Sequence, residues 1–103
     1  MTQRVGFVLR VKPERVDEYL RAHRDVWPEM LEALKAAGIR NYSIFRDENR
    51  MFGTFEADDL EQTAAYLAAQ PVSARWQDAM AELLEERVPD GGPRPLEEIF
   101  RLV

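Results

Sequence analysis

The spacing of apolar residues near the start of the chain predicts a β-strand. In RVGFVLRV, residues 4–11, an apolar side chain occupies every second position from Val5 to Val11. A period of two places these side chains on one face of a strand. Val8 lies among the residues between them, so the opposite face of the predicted strand is also partly apolar.

From Glu14 the apolar period changes to that of an α-helix. The inward stripe, which ends before a natural stop at Gly38, consists of Val16, Leu20, His23, Trp27, Met30 and Leu34. Pro28 interrupts this stripe. Because Pro28 has no N–H to give to the carbonyl of Arg24, and its ring crowds that turn, the helix must kink or restart there.

The rest of the chain predicts a hairpin, two further helices and a closing strand. Residues 39–57 form two strands joined at 47–49, where Asp and Asn favour a turn. Residues 58–71 predict a short helix with Asp58 or Asp59 as N-cap and Pro71 as terminator. Residues 73–88 predict another helix, and LEEIFRLV, residues 96–103, predicts a fourth strand.

This order indicates an α+β fold of the ferredoxin-like (βαββαβ) type, with a four-stranded antiparallel sheet and its helices on one face. The 103 residues suit a single domain, 1–103, with a modest core. Met51, Phe52 and Phe55 put apolar side chains on both faces of the third strand. We therefore expect the bare face to be buried against a partner's sheet in a homodimer, a dimeric α/β-barrel-type assembly.

Composition narrows the classes of function. The net charge of −5, without a stripe of Lys and Arg, argues against a nucleic-acid partner. No segment has the length and apolarity of a signal peptide or a membrane span, so we expect a cytoplasmic protein that does not bind membranes. Without cysteine and with one histidine, the chain has no transition-metal motif, and only carboxylates could hold a metal.

The single histidine is the first candidate for chemistry. His23 lies four residues after Tyr19, so both side chains project from the helix face that points at the sheet, where they could line a cleft. The residues alone leave a second interpretation open, in which His23, Tyr19 and Trp76 are core residues whose polar atoms are satisfied by hydrogen bonds.

A longer pattern resembles the L-rhamnose mutarotase family over nearly the whole chain. The pattern comprises Tyr19-x-x-x-His23-x-x-x-Trp27-Pro28-Glu29, Gly38, Asn41-Tyr42, and Arg75-Trp76 ahead of Met80. The resemblance implies a cytoplasmic dimer of ferredoxin-like protomers, an isomerase that interconverts the α and β anomers of a 6-deoxy-hexose without cofactor or metal.

By the same resemblance, His23 is the expected proton donor, and Tyr19, Tyr42 and Trp76 are expected to contact the sugar. Gln77 stands where some members of the family carry a second tryptophan, so it is a further candidate contact and leaves the sugar open between L-rhamnose and L-fucose. Ring opening needs a proton on the ring oxygen while another leaves the anomeric hydroxyl. An imidazole with a pKa of ~6.5 suits both directions near neutral pH. A tyrosine hydroxyl, a carboxylate or a water could be the second group.

Two other classes of function remain compatible with the residues. The same dimeric architecture hosts small cofactor-independent monooxygenases, which need a conjugated aromatic ligand and consume oxygen. A small-molecule-binding or subunit-pairing module without catalysis is the other class, and in it His23 would complete the core.

Overall fold

The computed structural model describes residues 2–103, which contain three antiparallel strands and four α-helices. In chain order they are β1 (Gln3–Arg10), a 3-10 turn (Pro13–Arg15), α1 (Val16–Arg24), α2 (Pro28–Ala36), β2 (Arg40–Asp47), β3 (Arg50–Ala57), α3 (Leu60–Ala68) and α4 (Pro71–Ala81).

The sheet has the strand order β1-β3-β2, with β3 antiparallel to both neighbours. One face carries the core, which joins alternate strand residues to the apolar sides of the helices. Its buried members include Val5, Phe7, Met51, Phe55, Tyr19, Met30, Leu67, Trp76 and Met80. The α+β class and the antiparallel sheet predicted from the sequence are therefore confirmed.

The predicted interruption of the first helix is confirmed. Helix α1 ends at Arg24, and α2 restarts with Pro28 at its first position, after Trp27 in an extended conformation (φ −53°, ψ 130°). Proline is favoured at this position because its missing N–H would have no partner within the helix. The end of α2 also agrees with the sequence, since Gly38 follows with a φ of +88° and donates its N–H to the carbonyl of Lys35.

The caps and lengths of the later helices agree only in part with the sequence. Asp59 is the N-cap of α3, and its Oδ1 accepts a hydrogen bond of 3.1 Å from the N–H of Gln62. The helix predicted over 73–88 is wrong at both ends, since α4 begins at Pro71 and stops at Ala81. Its expected continuation pairs with the end of β1 instead, through the bridge between Val11 and Leu84.

The predicted fourth strand is not present within residues 2–103. Residues 96–103 belong to no helix or strand, so the sheet of the described residues has three strands where four were predicted. The N–H of Leu96 donates to the carbonyl of Gly6 at 2.8 Å. A strand-like pattern predicts an extended backbone, but a strand also requires a paired backbone beside it.

The centre of the sheet contains a close contact between a ring and a glycine. Phe7 on β1 is directly opposite Gly53 on β3, and Phe7 is among the most buried side chains. A Cβ on Gly53 would overlap three carbons of the Phe7 ring. The ring therefore occupies the space that any other residue would need, which is a known reason for glycine inside a strand.

We predict that Gly53→Ala lowers the free energy of unfolding by about 2 kcal/mol, because Phe7 must leave its packed position. Urea unfolding followed by circular dichroism measures the change. Gly6→Ala is the matched control on β1, since a Cβ there meets nothing closer than the carbonyl oxygen of Gly53 at 3.9 Å. Equal stability of the two variants would contradict the role given to the ring contact.

Candidate active site

A cavity of about 600 Å³ lies between the helices and the inner face of the sheet. Its walls are mainly aliphatic, from Val5, Val26, Met30, Leu34, Ile39, Ile44, Leu60 and Leu67. Aromatic and polar groups join this wall, notably His23, Tyr42, Ser73, Trp76, Gln77 and Asp90. An apolar pocket with a few polar groups is the usual form of a site for a small molecule.

The ring of His23 is fixed by a bond to its own helix. Nδ1 of His23 lies 2.9 Å from the carbonyl oxygen of Tyr19, one turn earlier in α1. A carbonyl oxygen can only accept a hydrogen bond, so Nδ1 carries the proton. In the neutral imidazole the lone pair is therefore on Nε2.

Two aromatic side chains hold this imidazole in place. Tyr19 stacks on it with ring centroids 4.2 Å apart, and Trp76 meets it edge-on at 5.5 Å. Trp27, in the break between α1 and α2, packs edge-on against Trp76 at 5.1 Å. The four rings form one cluster, which joins the end of α1 to α4.

Burial changes the proton affinity of the groups in this cluster. Removal from water lowers the pKa of His23 below 6.5, and the bond to the Tyr19 carbonyl offsets this only in part. Burial also raises the pKa of Tyr19 to about 12. At pH 7 the site therefore contains a neutral imidazole and a neutral phenol.

Tyr42 lies next to an irregularity in β2. The pairing register between β2 and β3 shifts between Arg40 and Ser43, and Asn41 has a φ of +52°. Asparagine tolerates this left-handed conformation, and its side chain donates to Glu56 Oε1 at 2.7 Å. Tyr42 then stacks on Phe55 and lines the cavity. Its ring remains 38% exposed, while burial around the hydroxyl raises the pKa of Tyr42.

The structure brings four of the five sequence-predicted site residues to the cavity wall. His23 comes from α1, Tyr42 from β2, and Trp76 and Gln77 from α4. Tyr19 is not among the residues that line the cavity. It is 3% exposed and lies against His23, so its ring and its carbonyl both act on the imidazole.

Sequence reasoning missed one wall of the cavity. The segment 90–95, interpreted from its glycines and prolines as a turn, lines the cavity along its whole length. Ser73 Oγ donates to the carbonyl of Asp90 at 3.0 Å, and a Cβ on Gly91 would lie 3.1 Å from the carbonyl oxygen of Ala64. The adjacent glycines were the available signal, because close backbone approach requires glycine.

Residues 2–103 contain neither a metal-binding cluster nor a membrane-spanning helix. No three histidine or carboxylate side chains in this range come together in a way that could hold a metal ion. Within the same range, no helix has the length and apolarity needed to cross a membrane.

Comparisons with known proteins give the same family as the sequence pattern around His23. The sequence model of the L-rhamnose mutarotase family matches residues 4–102. This chain belongs to that family. It is 34% identical to the L-rhamnose mutarotase of Oceanobacillus iheyensis, with 97% of this chain and 98% of the relative covered. It is 39% identical to that of Burkholderia ambifaria, with 95% and 96% covered.

A solved member of the L-rhamnose mutarotase family has the same fold. The crystal structure of the L-rhamnose mutarotase from Formosa agariphila superimposes with a TM-score of 0.76 at 31% sequence identity. The alignment covers 98% of this chain and 99% of the crystal structure. The family membership suggested by the sequence pattern is therefore confirmed by sequence and by structure.

We predict that the single imidazole is neutral at pH 7, with its proton on Nδ1. ¹⁵N NMR of labelled protein reports both ring nitrogens without overlap, since the chain has one histidine. The pKa of His23 should lie below 6.5 in the folded protein and return to ~6.5 in urea. A folded value at or above 6.5, or a proton on Nε2 at pH 7, would contradict the assignment.

Proposed function

We propose that this protein is an aldose mutarotase that interconverts the α and β anomers of L-rhamnose, and thus a carbohydrate isomerase. The observation that carries the proposal is the imidazole of His23 on the cavity wall, fixed by the Tyr19 carbonyl so that Nε2 has the lone pair. Family membership supports the same activity.

The proposed reaction begins with a proton transfer to His23. Nε2 accepts the proton of the anomeric hydroxyl, the bond between C1 and the ring oxygen breaks, and C1 becomes an aldehyde carbon. The ring oxygen takes a proton from a second donor. After rotation about the C1–C2 bond, the hydroxyl formed from the former ring oxygen attacks the other face of C1 and returns its proton to that donor. Protonated His23 then gives its proton to the new anomeric oxygen, so in this proposal the residue that the family resemblance implies as a proton donor first accepts the proton that it later donates.

The lowered pKa of His23 fits this order of events. A neutral imidazole is ready to accept a proton at pH 7, whereas a protonated one would have to lose a proton before ring opening. The exchange rate should therefore fall as the pH decreases through the lowered pKa of His23. The stacked and edge-on rings of Tyr19 and Trp76 keep the imidazole in one orientation for both directions of the reaction.

Tyr42 is the proposed second proton carrier. The hydroxyl of Tyr42 is neutral at pH 7 because burial raises its pKa. Tyr42 lines the cavity from the sheet, whereas His23 lines it from a helix. A sugar ring between them would have one group on each side. A raised pKa also makes the phenol a weaker acid, so a water held by Tyr42 is the alternative proton donor.

The cavity also supports a 6-deoxy-hexose as the substrate class. Its aliphatic wall suits a methyl group at C6 better than a hydroxyl, because a buried hydroxyl without a partner is unfavourable. Trp76 offers a flat face to the C–H side of the sugar. Gln77 offers an amide that can donate to or accept from a sugar hydroxyl, and its contact with the sugar remains a prediction.

We also propose that two ferredoxin-like copies pair through the outer face of the sheet. Val8, Phe52 and Phe45 are neighbours across the three strands on that face, and they are 38%, 41% and 67% exposed. Beside them runs a row of small uncharged residues, Gly6, Thr54 and Ser43. Charged rows border both: Arg10, Arg50 and Asp47 at one end, and Arg4, Glu56 and Arg40 at the other.

This pattern resembles an interface, in which an apolar centre is surrounded by a charged rim. A second copy is the proposed partner, because the rim carries both signs of charge and can complement itself about a two-fold axis. The expectations of a cytoplasmic location and of activity without a cofactor remain predictions.

We predict that His23→Asn reduces enzyme-catalysed anomer exchange of L-rhamnose by at least about 100-fold while the protein stays folded. Asparagine can keep the bond to the Tyr19 carbonyl, but it cannot accept and return a proton near pH 7. Saturation-transfer NMR measures the exchange, after subtraction of the rate without protein. Near-full activity in a folded variant would remove His23 from the mechanism.

Tyr42→Phe is the companion variant, because it removes one oxygen and preserves the ring stacked on Phe55. A loss of kcat comparable to that of His23→Asn supports Tyr42 as the second proton carrier. A raised KM with an unchanged kcat would make Tyr42 a binding residue and assign the proton to water.

We predict that Gln77→Trp changes the preference between L-rhamnose and L-fucose, which differ in the orientation of their hydroxyls. Replacing an amide by an indole exchanges a hydrogen bond for a stacking surface, and one such contact is worth about 1 to 3 kcal/mol of discrimination. The ratio of kcat/KM for the two sugars gives the result, with Asp78→Asn on the exposed side of α4 as control. Identical ratios in all three proteins would place Gln77 outside the sugar site.

A further inference from the structure

The polar side chains of the cavity wall differ in whether the chain itself already uses their hydrogen-bonding groups. Thr63 Oγ1 donates to the carbonyl of Ala37 at 2.7 Å, and Ser73 Oγ donates to the carbonyl of Asp90 at 3.0 Å. Apart from the two proposed proton carriers, three side chains of the wall are polar and make no hydrogen bond within residues 2–103: Gln77, Asp90 and Arg94. These groups are available to the hydroxyls of a bound sugar.

The carboxylate of Asp90 is held through one of its two oxygens. Oδ1 is buried and lies 3.0 Å from Nη2 of Arg87, in an orientation that makes an ion pair but no hydrogen bond. The same nitrogen donates to Oδ1 of Asp78 at 2.7 Å, so Arg87 joins the carboxylate to α4. The side chain of Asp90 is 39% exposed. Because Oδ1 is buried, the exposed oxygen of the carboxylate is Oδ2.

Asp90 lies alongside the part of α4 that faces the cavity. Its carbonyl is bonded to Ser73, and its carboxylate is joined through Arg87 to Asp78. Ser73 and Gln77 are four residues apart in α4, so they share one face of that helix, and both line the cavity. Gln77 and Asp90 therefore form a polar corner in a wall that is otherwise mainly aliphatic.

We propose that Asp90 binds the substrate, with Oδ2 accepting a hydrogen bond from a sugar hydroxyl other than the anomeric one. Arg87 is then a positioning residue, because it holds the carboxylate by the other oxygen. The proposal rests on the mutarotase activity proposed above and adds a specificity-determining residue to it.

The chemistry of the polar corner suits a hydroxyl. A sugar hydroxyl both donates and accepts hydrogen bonds, whereas a carboxylate only accepts them and the amide of Gln77 can donate. One hydroxyl between Gln77 and Asp90 would therefore be satisfied on both sides. Hydrogen bonds to a charged acceptor are also stronger than those between neutral groups. In a mainly aliphatic cavity, such a contact selects sugars that place a hydroxyl at this corner.

The ion pair with Arg87 gives the carboxylate little structural importance. The side chain of Arg87 is 42% exposed, and ion pairs with this degree of exposure contribute little to stability. Substitution of Asp90 should therefore leave the fold intact, and its effect on the sugar can be measured in a folded protein.

The variant Asp90→Asn tests the contact with almost no change of shape. Arg87 attracts the remaining oxygen of the amide, so the NH₂ group takes the place of Oδ2 and presents a donor to the sugar hydroxyl. We expect the Kd for L-rhamnose, measured by NMR titration of ¹⁵N-labelled protein, to rise at least about 10-fold. In the exchange assay the loss should appear in KM, since this contact exists before and during ring opening.

Asp78→Asn is the matched control. It removes the other carboxylate from the same guanidinium, but Asp78 is exposed and is not part of the cavity wall. We expect its Kd to equal that of the unaltered protein, with the same circular dichroism in both variants. Unchanged affinity in Asp90→Asn, equal losses in the two variants, or loss of the fold in Asp90→Asn overturns the sugar contact.

Analogues of L-rhamnose that lack the hydroxyl at C2, C3 or C4 test the contact from the side of the ligand. Removal of the hydroxyl that Asp90 binds should weaken binding to the unaltered protein at least about 10-fold, and should weaken binding to Asp90→Asn far less. Additive losses with all three analogues would make the effect of Asp90 indirect and overturn the proposal.

The titration also separates this contact from the mutarotase activity. A protein that binds L-rhamnose through Asp90 but does not exchange its anomers refutes the proposed activity and leaves the contact standing. A protein that exchanges the anomers with the same Kd before and after Asp90→Asn does the reverse. Failure to bind L-rhamnose at all overturns both.

Discussion

The missing N–H of Pro28 is the constraint on which the site depends. A continuous helix over residues 16–36 would need that N–H to bond the carbonyl of Arg24, and the ring of Pro28 excludes the turn. The chain therefore leaves the helix after Arg24 and begins a second one at Pro28. The break places Trp27 against Trp76 and lets α1 and α2 form two separate walls of the cavity. His23 lies in the last turn of α1, next to this break between the two helices.

The second determinant is the environment that the fold gives to one imidazole. On an exposed helix, His23 would titrate at its ordinary pKa and could adopt either tautomer. Here burial lowers its pKa, a backbone carbonyl fixes the proton on Nδ1, and two rings restrict its orientation. These interactions need no additional structural element, since the carbonyl belongs to the same helix and the two rings belong to the core. In the proposed mechanism, these three effects together prepare the imidazole to accept a proton.

The sheet explains why a single chain is an incomplete unit in the proposed assembly. Its inner face is covered by helices, but its outer face has an apolar row and one of its edges is unpaired. The last residues of the chain include Ile99, Phe100 and Leu102, whose apolar side chains are also exposed. A small domain buries a limited share of its surface, so the proposed pairing of two copies through the outer face would add stability. The cavity lies on the opposite face, and pairing through the outer face would leave it open to a sugar.

The sequence by itself determined the local elements and most of the candidate site. Apolar periods identified β1, the broken first helix and the hairpin, and Pro28, Gly38 and Asp59 act as predicted because their effects are confined to one turn of backbone. The motif around His23 identified the family. Four of the five predicted site residues reach the cavity wall, and the fifth, Tyr19, lies one helical turn from His23 and stacks on its ring.

Only the tertiary structure decided the features that depend on distant parts of the chain. The tautomer of His23, the position of Tyr19 behind it, the stacking of Tyr42 on Phe55 and the wall formed by residues 90–95 all require contacts that local patterns do not encode. The early end of α4 and the absence of a strand over residues 96–103 also depend on contacts with distant parts of the chain. Periodicity predicts whether a segment can be helical or extended, but pairing depends on which backbone lies beside it, and that is fixed only when the chain has folded.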